Sequence, residues 1–548
     1  MKKSILLVIG CLLATWVGAQ ETPTALRVYE IFQNKCVNCH SQSNPRAGLD
    51  LEGKGSSINE KASDVYNKLV SVSSKNNTAK HKGYQLVYPG RVDKSFLFKK
   101  INQGLDKDME LEDGEKAPMP MSSSLTNVEK ELIRQWILFG APKDKIVVKE
   151  ALLVDYYENN RGQSAFPTGA PPPPDPSEGF QIKMGPFFID PAGEDEYYTK
   201  FQLDNETALE VNRLDIKMSN FSHHFIIYDY DSEAKTVPPG FRRSQDHTQD
   251  VSFVATVQEN SDLVLPTKTA FKWDKNHVLD LNSHTVNYTN DYVYQNEVYV
   301  NVYTQPVGTA VQEMESTLVP YPFIFIPNNG NLITHTAQVK FPAELFVWSI
   351  AGHTHRYGQG YKIWANEETG AKGEILYDAS CPRGIPGCVA PRFDYQHIPN
   401  RDFEDFQAID FSKGVTHEAR WINDGPKSVR WGPTSEDEMM LFAMLFVRDT
   451  TGLGTNQLTT STVEQQNPLT AVKVVPNPMM DRAEIQLPKN IGTVQFRLSN
   501  MTGKTVRQLS NFSGETIIIQ RDNLTKGMYL FTINTADGYF FTGKILIH

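Results

Sequence analysis

Two linker-like segments place the strongest constraint on how this chain of 548 residues can fold. The first lies at residues 169–176, which read GAPPPPDP, and its prolines favour a stiff, extended spacer. The second, residues 450–468, is rich in Thr, Gln, Gly and Asn, which is typical of a flexible tether. Because a chain of this length is too long for one core, we expect three or four domains.

The N-terminus has the pattern of a secretory signal peptide. Lys2 and Lys3 precede an apolar run over residues 5–17, and small residues up to Ala19 offer a cleavage site. We therefore expect residues 1–19 to be removed on export. Cys11 leaves open a lipidated N-terminus, although the apolar stretch continues well beyond it.

Residues 36–40 read CVNCH, a pattern with a specific chemistry. Two thiols at this spacing can add to both vinyl groups of a haem, and the histidine that follows can ligate the iron. The pattern predicts one covalent haem c, held by Cys36, Cys39 and His40.

Further stretches extend this motif into a resemblance. PGRVDKS at 89–95, PMPM at 118–121 and ELIRQWI at 131–137 resemble the small class I cytochromes c of environmental bacteria. The resemblance implies a mainly α domain with Met119 as the sixth iron ligand, or Met121 as the alternative. Ligation by histidine and methionine closes the iron to substrates, so the implied role is electron transfer.

Local patterns predict helices in front and strands behind. Thr126 and Glu129 form a capping box that predicts a helix from Asn127 to Phe139. Beyond the proline-rich segment, residues 225–228 and 298–302 are strand-like, which favours one or two β-sandwiches.

Histidine pairs mark the central region. His223 and His224 are adjacent, whereas His353 and His355 follow an apolar run at 345–350. On a strand, residues i and i+2 point to one face, so His353 and His355 can hold one ion together. Adjacent residues can do so only at a bulge or a strand end. Imidazole by itself suits copper, zinc, iron and nickel.

The order of these elements is more specific than any one of them. A His-His pair, a single histidine, a His-Thr-His and a final Asp-Glu-Met resemble the copper type II, ascorbate-dependent monooxygenases, which include peptidylglycine α-hydroxylating and dopamine β-monooxygenases. The resemblance spans residues 180–450. It implies two coppers. The electron-supplying copper would be held by His223, His224 and His284. The catalytic, oxygen-binding copper would be held by His353, His355 and Met439.

Two of these ligands have alternatives close by. His277 is the less favoured alternative to His284, and Met440 is the neighbour of Met439. A thioether ligand favours Cu(I), the state that must meet oxygen.

The chain departs from the resembled family where substrate is held. Peptide-amidating members place an arginine two residues before the His-Thr-His and Asn and Tyr after the methionine, where this chain has Ala351, Leu441 and Ala443. A substrate with a carboxylate would lose its partners here, so the replacements favour a less polar organic molecule.

Stretches near the C-terminus carry a third resemblance. VPNP at 475–478, LSNMTGK at 498–504 and KGMYL at 526–530 resemble the type IX secretion sorting domain of Bacteroidetes. This implies a small β-sandwich that the export machinery recognises, and a secreted or cell-surface location. There Cys381 and Cys388 could form a disulfide.

Together these features predict an exported, haem-containing copper monooxygenase that uses O2 and two electrons, with an external electron donor. The alternative is a non-catalytic copper and haem protein that moves electrons or binds copper. The net charge of −10 gives no reason to expect nucleic acid as a partner. The expected fold is a mainly α cytochrome c domain, two β-sandwich copper domains and a small C-terminal β-sandwich. Its boundaries are a signal peptide (1–19), the cytochrome c domain (20–145), a linker (146–180), the copper sandwiches (181–318 and 319–450), a flexible linker (451–469) and the sorting domain (470–548).

Overall fold

A computed structural model of the chain describes most of its residues in two compact units. One unit comprises residues 1–137 and 141–149, and the other comprises residues 138–140 and 150–548. Within the part of the chain that is described, none of the helices combines the length and apolar content needed to cross a bilayer. The described residues are 22–121, 124–219, 221–230, 237–243, 251–257, 261–380, 387–390, 393–395, 398–432, 436–454, 472–487, 493–500, 505–535 and 540–547.

The N-terminal unit consists of short helices joined by long irregular segments. The helix predicted to begin at Asn127 is confirmed, and its capping box is formed by Thr126 Oγ1, which accepts from the backbone N–H of Glu129 at 3.1 Å. Ser57 and Glu60 form a second capping box. The helices are α1 (Thr24–Lys35), α2 (Ile58–Leu69), α3 (Asn77–His81), α4 (Phe96–Ile101) and α5 (Asn127–Leu138), with a 3-10 turn at Arg46–Gly48.

The expectation of a mainly α N-terminal domain is wrong. Of the described residues, 43% lie in strands and 13% in helices, and the described N-terminal helices are too few for a mainly α domain. The segments between them explain this result, because residues 36–57 and 102–126 have no helical apolar period. Gly48, Gly53 and Gly55 all adopt positive φ, which is incompatible with continued helix.

The first β region forms two sheets. A seven-stranded sheet has the order β1-β11-β4-β9-β12, with β2 paired to β11 and β8 paired to β4, and a five-stranded sheet has the order β6-β3-β10-β5-β7. β10 is the middle strand of the second sheet and is buried along nearly its whole length. The elements are α6 (Glu150–Tyr157), β1 (Gly162–Ser164), β2 (Gly179–Ile189), β3 (Glu194–Gln202), β4 (Leu209–Lys217), β5 (Ser222–Tyr230), β6 (Phe241–Arg242), β7 (Val251–Val257), β8 (Ser261–Val264), β9 (Thr269–Trp273), β10 (Val278–Val286), β11 (Val293–Gln305) and β12 (Gln312–Glu313).

The second β region has two four-stranded sheets, of order β13-β22-β16-β19 and β15-β20-β17-β18, and a two-stranded pair, β14-β21. Its core includes Tyr361, Tyr377, Trp421, Phe442 and Met444, each no more than 2% exposed. The strands are β13 (Glu315–Pro320), β14 (Phe325–Ile326), β15 (Leu332–Val339), β16 (Glu344–His353), β17 (Gly358–Asn366), β18 (Lys372–Asp378), β19 (Arg401–Asp410), β20 (Val415–Ile422), β21 (Val429–Arg430) and β22 (Leu441–Val447).

The tail forms a third β region with its own core. A three-stranded sheet, β23-β24-β27, and a four-stranded sheet, β26-β25-β28-β29, bury Ile485, Phe496, Phe531 and Ile545. The alternation of apolar and polar residues, as in β24 and β25, places one face of each strand in this core. The strands are β23 (Lys473–Val475), β24 (Arg482–Gln486), β25 (Val494–Asn500), β26 (Thr505–Phe512), β27 (Thr516–Gln520), β28 (Gly527–Thr535) and β29 (Phe540–Ile547).

Candidate metal centres

Strand pairing brings the first three predicted ligands together. His223 and His224 are the second and third residues of β5, and His284 lies near the end of β10. Because β5 and β10 are antiparallel, the start of one lies beside the end of the other, and His224 pairs directly with His284. The register shifts after His284, an irregularity of the kind that lets neighbouring side chains converge.

These three imidazoles, which we call the first centre, form a compact cluster. One ligand atom from each lies within 4.8 Å of the other two. The ring centroids are 4.9 Å apart for His223 and His284 and 5.0 Å apart for His224 and His284. In the part of the chain that is described, no other group of three or more His, Cys, Asp or Glu side chains meets this criterion.

Hydrogen bonds determine the tautomer of His224 and of His284. His224 Nε2 lies 2.9 Å from Asn282 Oδ1, and His284 Nε2 lies 2.6 Å from Glu194 Oε1. Both oxygens are acceptors, so each Nε2 carries the proton and each Nδ1 keeps its lone pair. His223 Nδ1 lies 3.3 Å from His224 Nδ1, an approach that a shared cation would stabilise.

The surroundings of His223 favour a neutral imidazole. Burial, together with the charges of the neighbouring histidines, lowers the pKa of His223 to about 2. Glu196 lies beside His224, with 3.4 Å between Oε1 and Nε2. Burial raises the pKa of Glu196, but its hydrogen bond and attraction to His224 outweigh that effect and bring the pKa to about 2. Neutral imidazole is the form that binds metal.

The second predicted set, the second centre, lies at the end of a sheet in the second β region. His353 is the last residue of β16 and His355 lies in the turn that follows, with ring centroids 5.3 Å apart. His353 pairs with Leu441, the first residue of β22, so Met439 lies at the same end of the sheet. The charges of His353 and His355 contribute to the lowered pKa of His223.

The two methionines beside β22 have different surroundings. Met440 is 0% exposed and belongs to the apolar core of the second β region. Met439 is half-buried, and its backbone N–H donates to Glu438 Oε2 at 3.3 Å. Of the pair, Met439 is therefore the one outside the core.

A buried carboxylate, Glu438, supports the second centre. Its oxygens accept from the backbone N–H groups of His355 and Tyr357 at 2.8 and 2.7 Å, and from Trp421 Nε1 at 2.9 Å. Burial raises the pKa of Glu438 to about 7, against the effect of these donors. His355 Nδ1 donates to the Asp437 carbonyl at 3.0 Å, which leaves its Nε2 free.

Of the other positions discussed in the sequence, His277 lies apart from the two centres, and Ala351 and Ala443 lie beside the second. His277 lies just before β10, at the end opposite to His284, where it stacks on Trp273 and lies 3.1 Å from Asp229. Ala351 and Ala443 are directly paired across β16 and β22, two residues from His353 and Leu441. They share the face of His353, because side chains alternate along a strand.

The predicted haem-binding residues follow α1. Cys36 and Cys39 are free thiols, and burial raises the pKa of Cys36 to about 12. His40 Nδ1 donates to the Leu49 carbonyl at 3.1 Å, so its Nε2 keeps a lone pair for an iron. Two thiols and a free Nε2 within five residues fit a covalently attached haem.

The two candidate methionines for the haem differ in exposure. Met121 is 74% exposed, whereas Met119 is half-buried. The Met119 backbone is anchored by its N–H, which donates to the Lys100 carbonyl at 2.8 Å, and by its carbonyl, which accepts from Gln103 Nε2 at 2.9 Å. Anchoring at both groups fixes the backbone of Met119, which is also the less exposed of the two methionines.

Some predicted features lie outside the described residues. The signal peptide with Cys11 is among them, and so is Cys381. Cys388 is disulfide-bonded.

Sequence reasoning missed the residues that support the ligands. Glu194 and Glu196 precede the nearest predicted ligand by more than 25 residues, and only the pairing of β3 with β10 brings them to His284. Asn282 could have been found, because it is two residues before His284 and shares its face of the strand. Glu438 lies inside the Asp-Glu-Met motif, next to Met439, but the motif alone does not indicate that its side chain supports His355.

Comparisons with solved structures show only weak likeness. A recombinant peptide:N-glycanase F is 12% identical and covers 50% of this chain and 96% of its own, with a TM-score of 0.25. A second structure, a peptide-N(4)-(N-acetyl-β-D-glucosaminyl) asparagine amidase, is 11% identical and covers 49% and 96%, with a TM-score of 0.24. A biofilm-associated protein BSP domain is 9% identical and covers 69% and 83%, with a TM-score of 0.14. Scores of this size assign no function.

Sequence comparison identifies the tail. A comparison with curated proteins yields no significant match. The profile of the secretion system C-terminal sorting domain matches residues 473–548, the region of β23 to β29. The chain therefore carries a type IX secretion signal at its C-terminus and is exported to the cell surface or secreted.

Proposed function

We propose that this exported protein is a copper-dependent monooxygenase that hydroxylates a C–H bond of an organic substrate with O2 and two electrons. The observation that carries the proposal is the first centre, in which a ligand atom from each of three imidazoles lies within 4.8 Å of the others. Two of these rings donate their Nε2 protons to acceptors and keep Nδ1 for a metal. Copper, when bound, would supply one-electron chemistry and the activation of O2.

The ligands of the second centre differ from those of the first, which supports two coppers with different roles. His353, His355 and Met439 offer two imidazoles and a thioether, whereas the first centre offers three imidazoles. Sulfur is a soft ligand that favours Cu(I), so the second centre is the better candidate for meeting O2. Glu438 holds the backbone of His355 and Met439 from one buried carboxylate.

The surroundings of His353 support a less polar substrate. Ala351 and Ala443 pair across neighbouring strands on its face, and Leu441 lies directly opposite His353. None of these side chains can pair with a carboxylate, so substrate recognition there rests on apolar contact.

We propose that the N-terminal unit carries a covalent haem and relays electrons. Cys36 and Cys39 would form the thioether bonds, and His40 Nε2 and Met119 would be the protein ligands of the iron. A haem tethered in the same chain raises the local concentration of the donor without new contacts. Stopped-flow reoxidation of a reduced haem by O2 and substrate should therefore slow in a His223→Ala variant. Equal rates in the two proteins would contradict the relay.

A second candidate is a non-catalytic copper and haem protein that transfers electrons or binds copper. It is favoured by Ala351, Leu441 and Ala443, which stand where the resembled enzymes bind substrate.

Metal analysis of the purified full chain, paired with oxygen uptake under a reductant, separates these candidates. The monooxygenase predicts two coppers, one haem and oxygen consumption that depends on an added organic substrate. Copper without oxygen uptake across a panel of apolar substrates would favour the non-catalytic candidate. A chain that binds zinc or no metal after copper loading would contradict both.

A further inference from the structure

Carboxylate and amide oxygens lie behind the imidazoles of the first centre. β3 runs antiparallel to β10, and its residues Glu194 and Glu196 lie on the face that carries His284. Glu194 Oε1 is 2.6 Å from His284 Nε2, and Glu196 Oε1 is 3.0 Å from Asn282 Nδ2. Glu194 thus contacts His284 directly, and Glu196 contacts Asn282, whose Oδ1 lies 2.9 Å from His224 Nε2.

The orientation of the Asn282 amide is determined by its neighbours. Its Nδ2 donates to Glu196 Oε1 and, at 3.3 Å, to the Tyr197 carbonyl, both of which only accept. Its Oδ1 must therefore face His224 Nε2, 2.9 Å away, and the ring nitrogen must be the donor. Asn282 is 0% exposed, so water does not compete for these bonds.

We propose that Glu194 and Asn282 are positioning residues that hold His284 and His224 with Nε2 protonated and Nδ1 directed to the metal. This inference rests on the proposed function, since it assumes that the first centre binds copper. A neutral imidazole with a freely exchanging proton spends part of its time with Nδ1 protonated and unable to bind. An acceptor at Nε2 removes that state and fixes the ring plane, which is the usual effect of the partners of metal-bound histidines.

Glu194 is the better residue to test because its side chain is 40% exposed and it begins β3. Its replacement leaves no cavity in a core, whereas replacing the buried Asn282 could unfold the sheet. Asp195 provides a matched control. It is the next residue on the same strand, it faces the other way, and it pairs with Arg243.

The experiment uses the full-length chain with the second centre removed by His353→Ala and His355→Ala, so that one copper remains. Copper affinity is measured by competition with a chelator in this parent and in Glu194→Ala, Glu194→Gln and Asp195→Asn derivatives. We expect Glu194→Ala to weaken binding about 10- to 100-fold. Glu194→Gln, which keeps an acceptor oxygen, should recover most of that loss, and Asp195→Asn should bind as the parent does.

Pulsed EPR of the Cu(II) protein distinguishes a positioning role of Glu194 from a merely structural one. The quadrupole coupling of a coordinated imidazole's remote nitrogen depends on the hydrogen bond at that nitrogen, so Glu194→Ala should change it. Unchanged affinity and unchanged coupling in Glu194→Ala would overturn the positioning role while the proposed function stood. A Glu194→Gln variant as weak as Glu194→Ala would also overturn it, because charge alone would then explain the loss. A parent that binds no copper would remove the proposed function itself.

Discussion

Glu438 makes a sharp test of how the second centre is held. Its side chain is 0% exposed, and its Oε2 accepts from His355 N and Trp421 Nε1 while its Oε1 accepts from Tyr357 N, all within 2.9 Å. Glu438→Ala would leave these three donors buried without that acceptor. An unsatisfied buried donor costs about 1–3 kcal/mol, so we expect the second β region to lose about 3 kcal/mol or more of its free energy of unfolding.

Glu438→Gln keeps the shape of the side chain but removes one of its two acceptor oxygens, so it tests the contribution of the acceptors alone. Its carboxamide keeps one oxygen, so if that oxygen takes the place of Oε2, the amide group meets the N–H of Tyr357 and a single donor is lost. We expect a loss of about 1–3 kcal/mol, between those of the native protein and Glu438→Ala. Glu436→Gln is the control, since this exposed neighbour pairs with Lys427 on the surface and should leave stability unchanged.

Hydrogen exchange measured by mass spectrometry is the suitable assay, because it reports on one region of a multi-domain chain. Peptides that cover residues 353–357 should exchange faster in Glu438→Ala, less so in Glu438→Gln, and at the native rate in Glu436→Gln. Urea unfolding of the metal-free protein provides the free-energy scale. Native exchange rates and an unshifted midpoint in Glu438→Ala would refute the reasoning.

Three further predictions address other parts of the chain. Met439→Ala should lose oxygen uptake and leave the visible haem spectrum intact, and unchanged uptake would exclude Met439 as a ligand. Deleting residues 470–548 should retain the protein, with its haem, in the periplasm, as fractionation and immunoblotting would detect. The pKa of the buried Glu115, raised by burial, is lowered overall by hydrogen bonds that include Lys99 and Lys82. Its contribution to stability is therefore present above its unfolded pKa near 4.5 and is lost as the pH falls through its lower folded pKa. The N-terminal unit of Glu115→Gln should unfold at a higher pH in an acid titration followed by pulsed hydrogen exchange of peptides from that unit.

Local structure was predictable where the information is local. The capping box predicted the start of α5, and the apolar alternation at 225–228 and 298–302 predicted parts of β5 and β11. The mainly α domain was wrong because it was inferred from a haem motif and short flanking stretches, which say little about the long segments between them.

For the candidate site, the sequence offers proposed ligands only. Motif order proposes six residues, and the structure brings three of them together through the pairing of His224 with His284, a long-range register that the sequence does not contain. The supporting groups come from elsewhere in the fold. Glu194 reaches His284 across 90 residues of chain, and no pattern near either residue indicates the contact.

The position of β10 has a consequence for metal exchange. His284 belongs to the middle strand of a five-stranded sheet, bonded to β3 on one side and to β5 on the other. His355 and Met439 lie outside the strands, and their backbones are held by the Glu438 carboxylate and by one isolated bridge between Glu438 and Trp431. Opening these segments breaks the bonds of one residue, whereas a central strand opens only with the surrounding sheet. A chelator would thus strip the second centre first, and the chain would pass through a state that keeps copper only where three imidazoles converge.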